Sequence, residues 1–574
     1  MLSKNLYMIK KMETKKLIIY QVLPRLFGNC NENLTFDGSL QENGTGKFSS
    51  FTDKALSEIG KLGCNAIWYT GVIEHATKED FTSIGITKDN PFVIKGNAGS
   101  PYAIKDYYDV NPYLADNMKE RISEFEQLIE RTHSANMKVI IDFVPNHVAR
   151  IYHSDMKPEG VMDFGANDDT SCAFNPNNNF YYIPYQVFAG QFYLGEGENQ
   201  YKEYPAKATG NDCFNAYPTN NDWYETVKLN YGVDYSAWGA KHFEPIPDTW
   251  WKMYDILKYW AGKGIDGFRC DMAEMVPVEF WGWVIAKIKQ DFPEIIFIAE
   301  VYDPNQYYSY IFNGKFDYLY DKVGLYDSLK GIIRGELPAS QLTSCWQRLG
   351  EIGDHMLNFM ENHDEQRIAS PFFAGSAEAG FAGAIVSACM SKAPFMIYFG
   401  QELGEEAMDT EGFSGQDGRT TIFDFWSVES IRQWFNHGNC DNKMLSNRQR
   451  KIYSFYRSLL NVAEKEKAIS QGLFFDLMYV NPSSEYFNPD KQYAFLRKSG
   501  NELLLIVVNF DQYEQDCKII IPKHAFDYLQ VEERAEIECK ELLSKMTLYQ
   551  SLSVLSPFRT RVPAQSGVIW KIKL

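Results

Sequence analysis

The chain has 574 residues, of which 45% are hydrophobic and 23% charged, and its formal net charge is −18. A chain of this length exceeds what one hydrophobic core supports, so two or three domains are expected. The negative charge argues against nucleic acid and anionic membrane surfaces as partners. No apolar run in the sequence is long enough to span a membrane.

Cysteine usage and the N-terminal segment bear on the cellular compartment. The ten cysteines are scattered without a C-x-x-C pair, and several lie in apolar stretches, such as Cys64 in LGCNAIW. They are interpreted as reduced core residues rather than as disulfides or zinc ligands. The N-terminal stretch MLSKNLYMIKKMETKK is basic but lacks the apolar segment of a secretory signal. A cytoplasmic location is therefore expected.

Short apolar runs of strand type alternate with helix-like stretches over most of the chain, which is typical of a parallel α/β fold. Helical patterns, for example at 118–137 and 247–264, separate the predicted strands. Eight strand–helix units that close on themselves predict a (β/α)8 TIM barrel. The predicted strands are residues 17–23, 65–70, 138–144, 265–271, 295–301, 316–321, 356–364 and 394–400.

Two intervals depart from this alternation. Residues 150–235 are rich in Asn, Asp, Gly and Tyr and weakly periodic, and they are predicted to form an inserted domain B after the third strand. Residues 468–574 contain alternating runs such as YAFLRKSGNELLLIVVNF, which predict a C-terminal antiparallel β-sandwich, domain C. The barrel, domain A, is then assigned to residues 1–149 and 236–467.

Polar and charged side chains recur where four of the predicted strands end. The segments are DFVPNH after the third strand, GFRCDMA after the fourth, IAEVYD after the fifth and MENHDEQR after the seventh. Catalytic groups of a barrel lie at the carboxyl ends of its strands, so these side chains are predicted to meet at one pole. Arg269 and Asp271 are two residues apart on one strand and share a face, where the guanidinium favours the ionised carboxylate.

These segments resemble the four signature segments of the α-amylase family, glycoside hydrolase family 13, in the order found there. Flanking segments agree, because IYQVLPRLF resembles the first strand of that family, SPYAIKDYYDVNP its substrate-lining loop and IYFGQELG its eighth strand. The resemblance covers residues from about 17 to 510.

The resemblance implies a role for each of three carboxyl groups. Asp271 would be the nucleophile, Glu300 the general acid/base, and Asp364 the third carboxylate, which binds sugar hydroxyls. Retaining glycoside hydrolysis needs two carboxyl groups about 5–5.5 Å apart, one ionised and one protonated. Adjacent fourth and fifth strands can supply such a pair.

The resemblance also implies ligands for the sugar whose bond breaks. Arg269 would orient Asp271 in the site. Tyr102, His147 and His363 would line the subsite that holds this sugar.

One departure from the family pattern concerns calcium. Many members carry Lys-His shortly after the nucleophile, where the pair binds sugar and, through a backbone carbonyl, calcium; here the stretch is MAEM at 272–275. Asn146 and Asp234 are the remaining candidates for an oxygen-ligand calcium site. No cofactor is expected to be required.

The resemblance implies an enzyme that cleaves α-1,4-glucosidic bonds in maltooligosaccharides or related α-glucans by retaining double displacement. Three alternatives stay open: a transglycosylase, an α-1,6-acting or isomerising enzyme, and a non-catalytic sugar-binding protein. The last is disfavoured because all three carboxylates are present.

Overall fold

The structure, a computed structural model, describes residues 15–574. Most of the basic N-terminal stretch that bears on cellular location, residues 1–14, lies outside the described residues. Eight parallel strands form a closed barrel in which neighbours follow chain order and the last strand pairs with the first. The strands are β1 Ile18–Val22, β2 Ala66–Tyr69, β3 Lys138–Phe143, β4 Gly267–Cys270, β5 Ile296–Ala299, β6 Tyr318–Tyr320, β7 Met356–Phe359 and β8 Phe395–Tyr398. Each lies within its predicted range, and the predicted barrel is confirmed.

The pairing register of β3, β4 and β5 sets the height along the barrel at which the carboxyl groups lie. Arg269 on β4 pairs with Asp142 on β3 and with Ile298 on β5. Asp271 lies two residues after Arg269 along the chain, and Glu300 lies two residues after Ile298. Because side chains alternate along a strand, both carboxyl groups project on the same side and at the same height.

Helices surround the barrel and connect most of its strands. The helices labelled here are α1 Asp53–Leu62, α2 Arg121–Ser134, α3 Asp248–Gly262, α4 Val278–Asp291, α5 Asp327–Ile333, α6 Gln341–Leu349, α7 Phe381–Cys389 and α8 Asn447–Lys465. Further α-helices are Leu40–Asn43, Glu429–Phe435, Lys467–Ser470 and Lys523–Leu529. Between β5 and β6 a single π-helical turn, Ser309–Asn313, replaces a full helix. Within residues 15–574, no helix combines the length and apolar character needed to cross a membrane.

The segment predicted to be domain B contains little regular structure. The strand His147–Ala149 pairs with Thr226–Lys228, and Tyr182–Ile183 pairs with Ala206–Lys207. Ile73–His75 pairs with Ile104–Val110 outside the segment, and Val233–Asp234, at the end of the segment, pairs with Ala240–Lys241. A small separate core joins Val93 to four residues of the segment, Phe188, Tyr201, Ala206 and Ala216.

The C-terminal region is an antiparallel sheet of six strands faced by a pair of strands. The strands are β9 Leu473–Asp476, β10 Gln492–Ser499, β11 Glu502–Asn509, β12 Gln515–Ile519, β13 Arg534–Glu541, β14 Thr547–Leu552, β15 Phe558–Val562 and β16 Ser566–Lys573. The sheet order is β9-β10-β11-β16-β13-β14, with β12-β15 as the second layer. The buried Arg497 donates hydrogen bonds to the carbonyls of Met390, at the end of α7, and of Ala468, and so ties this sheet to the barrel.

Candidate active site

A cleft of about 610 Å³ opens at the carboxyl ends of the barrel strands. Five predicted residues line it: Tyr102, His147, Asp271, Glu300 and Asp364. Arg269 and His363 are buried and lie behind this lining, in contact with it. A larger groove of about 1220 Å³ runs outside the barrel along α1, α2 and α8 and holds none of the predicted residues. The smaller cleft is therefore the candidate active site.

The guanidinium of Arg269 holds two carboxyl groups rather than one. Nη1 lies 2.7 Å from Asp271 Oδ1, and Nη2 lies 2.8 Å from Glu300 Oε1. The arginine is fully buried, and its Nε also donates to the Tyr320 hydroxyl, 3.2 Å away. The sequence predicted the pair with Asp271 but not the pair with Glu300. One fixed cation thus sits between the proposed nucleophile and the proposed acid/base.

Glu300 has two further donors. The Tyr302 hydroxyl donates to Oε1 at 2.6 Å, and the backbone N–H of Met272 donates to Oε2 at 2.8 Å. Tyr302 also lines the cleft. These contacts leave the side chain of Glu300 a single orientation, directed to the same space as Asp271.

On the opposite side of the cleft, Asp364 lies beside His363, with Oδ2 3.1 Å from Nε2. The Tyr102 hydroxyl also approaches this Nε2, at 2.5 Å, and the Tyr102 ring stacks on the imidazole. The other ring nitrogen, Nδ1, lies 2.8 Å from the side-chain amide of Gln21 on β1. Burial and the charge of Arg269 hold the pKa of His363 well below its usual range, so the imidazole is neutral.

His147 forms another wall of the cleft. Its ring packs on Trp223, with centroids 5.3 Å apart. Burial, with the positive charge of Lys228 as the next cause, lowers the pKa of His147 to about 3. The imidazole therefore acts as a neutral hydrogen-bonding group at physiological pH.

Asp142, one strand before Arg269, braces the arginine from below. Its Oδ2 accepts hydrogen bonds from the Trp68 indole and the Gly71 backbone N–H, both at 3.1 Å. Its Oδ1 lies 3.8 Å from Arg269 Nη1. The carboxylate is 5% exposed and does not line the cleft.

Two carboxyl groups of the cleft, Asp271 and Asp364, retain protons more readily than free ones. Burial raises the pKa of Asp271 well above its usual range, against the opposing charge of Arg269. Burial, followed by the negative charge of Glu300, raises the pKa of Asp364 to about 7. Both carboxyl groups therefore retain a proton more readily than a free aspartic acid does, and the charge of Arg269 opposes this effect at each of them.

This geometry agrees with a match over most of the chain. The model of the alpha-amylase catalytic domain matches residues 21–472. The chain belongs to the α-amylase family. Proteins of this family named amylases, glucosidases and cyclomaltodextrinases are glycoside hydrolases, and this chain is a glycoside hydrolase as well.

Individual relatives are distant in sequence, but their matches extend over most of this chain. Alpha-amylase 3 of Dictyoglomus thermophilum is 24% identical over 392 residues, covering 65% of this chain and 68% of that protein. Neopullulanase 2 of Thermoactinomyces vulgaris is 21% identical over 527 residues, 89% of this chain and 72% of that protein. The solved maltogenic alpha-amylase AmyB of Thermotoga neapolitana shares the fold, with a TM-score of 0.60 at 20% identity, over 98% of this chain and 100% of that one.

The two calcium candidates of this α-amylase-family chain are already engaged. Asn146 Oδ1 accepts a hydrogen bond from Lys228 Nζ at 2.7 Å. Asp234 Oδ1 accepts from the backbone N–H of Ser236 at 2.9 Å and closes its own turn. Both oxygens therefore already accept hydrogen bonds within the protein.

A different group of carboxylates could hold a cation. Among residues 15–574, Glu74, Asp106 and Asp109 are the buried acidic group whose oxygens lie within 4.8 Å of one another. Asp109 pairs with Arg121, whose Nε is 2.7 Å away, and Asp106 accepts from Ser154. Burial, with the charge of Asp109 next, raises the pKa of Glu74 well above its usual range.

Sequence reasoning missed two residues at the centre of the family site. Tyr302 lies two residues after Glu300 in IAEVYD, so the period of two along a strand could have found it. Gln21 is a polar residue inside the apolar run LIIYQVL, which is itself a signal for a function in the barrel interior. Trp223, in contrast, lies in the irregular segment, where no pattern marks it.

Proposed function

We propose that this protein is a retaining glycoside hydrolase that cleaves α-1,4-glucosidic bonds in maltooligosaccharides or related α-glucans. The observation that carries the proposal is the placement of Asp271 and Glu300 on the two terminal nitrogens of one guanidinium. This arrangement favours the short separation of a nucleophile and an acid, about 5–5.5 Å, over the longer one that leaves room for water. Relatives named alpha-amylase, neopullulanase and cyclomaltodextrinase support an α-glucan as substrate.

In the first step, Asp271 attacks the anomeric carbon while Glu300 protonates the glycosidic oxygen. The glycosidic bond breaks, the shortened glucan leaves as an alcohol, and an ester forms between the sugar and Asp271. Arg269 binds Oδ1 of Asp271 and thereby leaves Oδ2 for the attack. Oε1 of Glu300 lies against the charge of Arg269 and accepts from Tyr302, whereas Oε2 accepts only from the backbone N–H of Met272, so we assign the transferred proton to Oε2.

In the second step, the ionised Glu300 takes a proton from water, and the resulting hydroxide attacks the same carbon from the face that the leaving group vacated. The ester bond breaks, Asp271 leaves as a carboxylate, and the sugar keeps its α configuration. A sugar hydroxyl as acceptor in place of water would give transglycosylation by the same chemistry.

The remaining residues bind the sugar ring. Asp364 accepts hydrogen bonds from hydroxyl groups, and the neutral imidazole of His147 orients them, while the buried His363 positions Asp364 and Tyr102. Tyr102 offers an aromatic face to the apolar face of the ring. Each of these groups lies in or directly behind the cleft.

Two broader assignments accompany this function. We assign the barrel to residues 1–149 and 236–467, domain B to 150–235 and domain C to 468–574; the small separate core, four of whose five buried residues lie in 150–235, supports this division. We assign the protein to a reducing compartment, the cytoplasm, because its ten cysteines are unpaired and seven of them are buried.

The test is product analysis after incubation with maltoheptaose and, separately, with pullulan. The proposal predicts products shorter than maltoheptaose, and none from Asp271→Asn prepared in parallel. Products longer than the substrate would indicate a transglycosylase. Cleavage of pullulan at its α-1,6 bonds, with maltoheptaose left intact, would overturn the proposed linkage.

A further inference from the structure

We propose that the ammonium group of Lys228 replaces a metal ion where domain B joins the barrel, and that the junction needs no calcium. The side chain is buried, with 2% of its surface exposed. Its Nζ lies 2.7 Å from Asn146 Oδ1 and 2.6 Å from Asp212 Oδ1. An amide oxygen and a carboxylate oxygen are ligands of the kind that calcium prefers.

A metal ion and this ammonium cannot share the site. Calcium binds oxygen at about 2.3–2.6 Å, and Nζ already lies at hydrogen-bond distance from the oxygen of Asn146. A cation bound there would place two positive charges in contact inside the protein, at a large electrostatic cost. The lysine, with three donors and one charge, satisfies the same oxygens without a metal.

Two other carboxylates, the calcium candidate Asp234 and Glu274, are engaged as well. Asp234 Oδ1 caps its own turn, accepting from Ser236 and Ala237. Glu274, within the MAEM stretch, accepts through Oε2 from the backbone N–H groups of Tyr302 and Asp303, at 2.9 and 3.1 Å. Each potential ligand thus has a structural task in this chain.

Lys228 joins three segments of the molecule at this point. It pairs in register with His147 across the two-stranded sheet at the base of domain B. Asn146, the third residue after β3, also donates through Nδ2 to the carbonyl of Gly210 at 2.8 Å. Asp212 belongs to the same loop as Gly210. The lysine therefore fixes both the end of β3 and the loop over it, and with them the position of His147 in the cleft.

The proposal concerns the scaffold and holds whichever linkage the enzyme cleaves.

The melting temperature of the full-length protein is measured in excess EDTA and in excess calcium chloride, and the two values are expected to agree. Lys228→Met, which keeps the chain length but removes the charge, is expected to lower the melting temperature by several degrees. Asn146 and Asp212 then lose a buried partner.

The matched control is Lys241→Met, which removes a lysine from an exposed pair with Glu279 near the same junction. It is expected to keep the wild-type melting temperature, because exposed ion pairs contribute little. A wild-type melting temperature that rises with calcium, and loses this response in Asp212→Asn, would overturn the proposal. So would a Lys228→Met variant as stable as the wild type. If calcium still raises the melting temperature of Asp212→Asn, the ion binds at another site. The melting temperature of Lys228→Met then decides whether the proposal holds.

Discussion

Arg269 and Glu300 form a buried ion pair, with Nη2 of the arginine 2.8 Å from Oε1 of the glutamate. The same guanidinium binds Asp271 through Nη1. A single cation therefore acts on both groups of the proposed double displacement. Its charge favours the ionised nucleophile, and its geometry holds the acid/base beside it.

Substitution of either carboxyl group should stop turnover. Asp271→Asn and Glu300→Gln are each expected to lower kcat/KM by at least about a thousandfold, roughly 4 kcal/mol of transition-state stabilisation. The control is Glu365→Gln, which also lines the cleft but pairs with Lys322 and does not contact Arg269. Near-normal activity in either purified, folded variant of the first pair would contradict the assignment.

Arg269→Met tests whether the arginine serves one carboxyl group or both. Loss of its charge disfavours the ionised form of every neighbouring carboxyl group. Both limbs of the profile of kcat/KM against pH should therefore move to higher pH. If the arginine served Asp271 alone, only the acidic limb would move. A profile with neither limb moved would make the arginine purely structural.

Tyr302→Phe removes one hydroxyl donor from Glu300. A hydrogen bond to an ionised group contributes about 1.5–3 kcal/mol, and its loss favours the protonated acid. The basic limb is expected to shift to higher pH, and kcat to fall about tenfold or more, with KM little changed. A wild-type pH profile in this variant would show that the hydroxyl does not act through Glu300.

Asp364→Asn should change how stability depends on pH. The pKa of Asp364 in the folded protein is raised to about 7, first by burial and then by the charge of Glu300. The folded state thus binds this proton more tightly than the unfolded state, so the wild type loses stability as pH rises from its unfolded value, about 4, to about 7.

The asparagine variant lacks this loss. Its melting temperature, relative to that of the wild type, should increase between these pH values and stay constant above them. Thermal unfolding of both proteins across this range measures the difference. A difference that does not vary with pH would contradict the raised pKa.

The barrel strands and the polar residues at their carboxyl ends could be predicted from the sequence for a physical reason. Buried parallel strands carry apolar runs, such as VII in β3 and FMIY in β8, and the polar residues that follow these runs stand out. Between β5 and β6 the expected helix is represented by the π-helical turn Ser309–Asn313.

Other features depend on register and on irregular backbone. The contact between Arg269 and Glu300 depends on how β4 and β5 pair, which no single strand encodes. The pairing of Lys228 with Asp212 lies inside a segment held by side-chain-to-backbone hydrogen bonds, which have no period along the chain.

The measurement that tests the central claim most directly is proton NMR of the product formed during the first moments of maltoheptaose cleavage. The anomeric signals of α and β reducing ends are resolved before mutarotation mixes them. An ester on Asp271 followed by attack of water predicts that the α-anomer appears first. A β-anomer formed first would mean that water attacks directly, and that Asp271 is not a nucleophile.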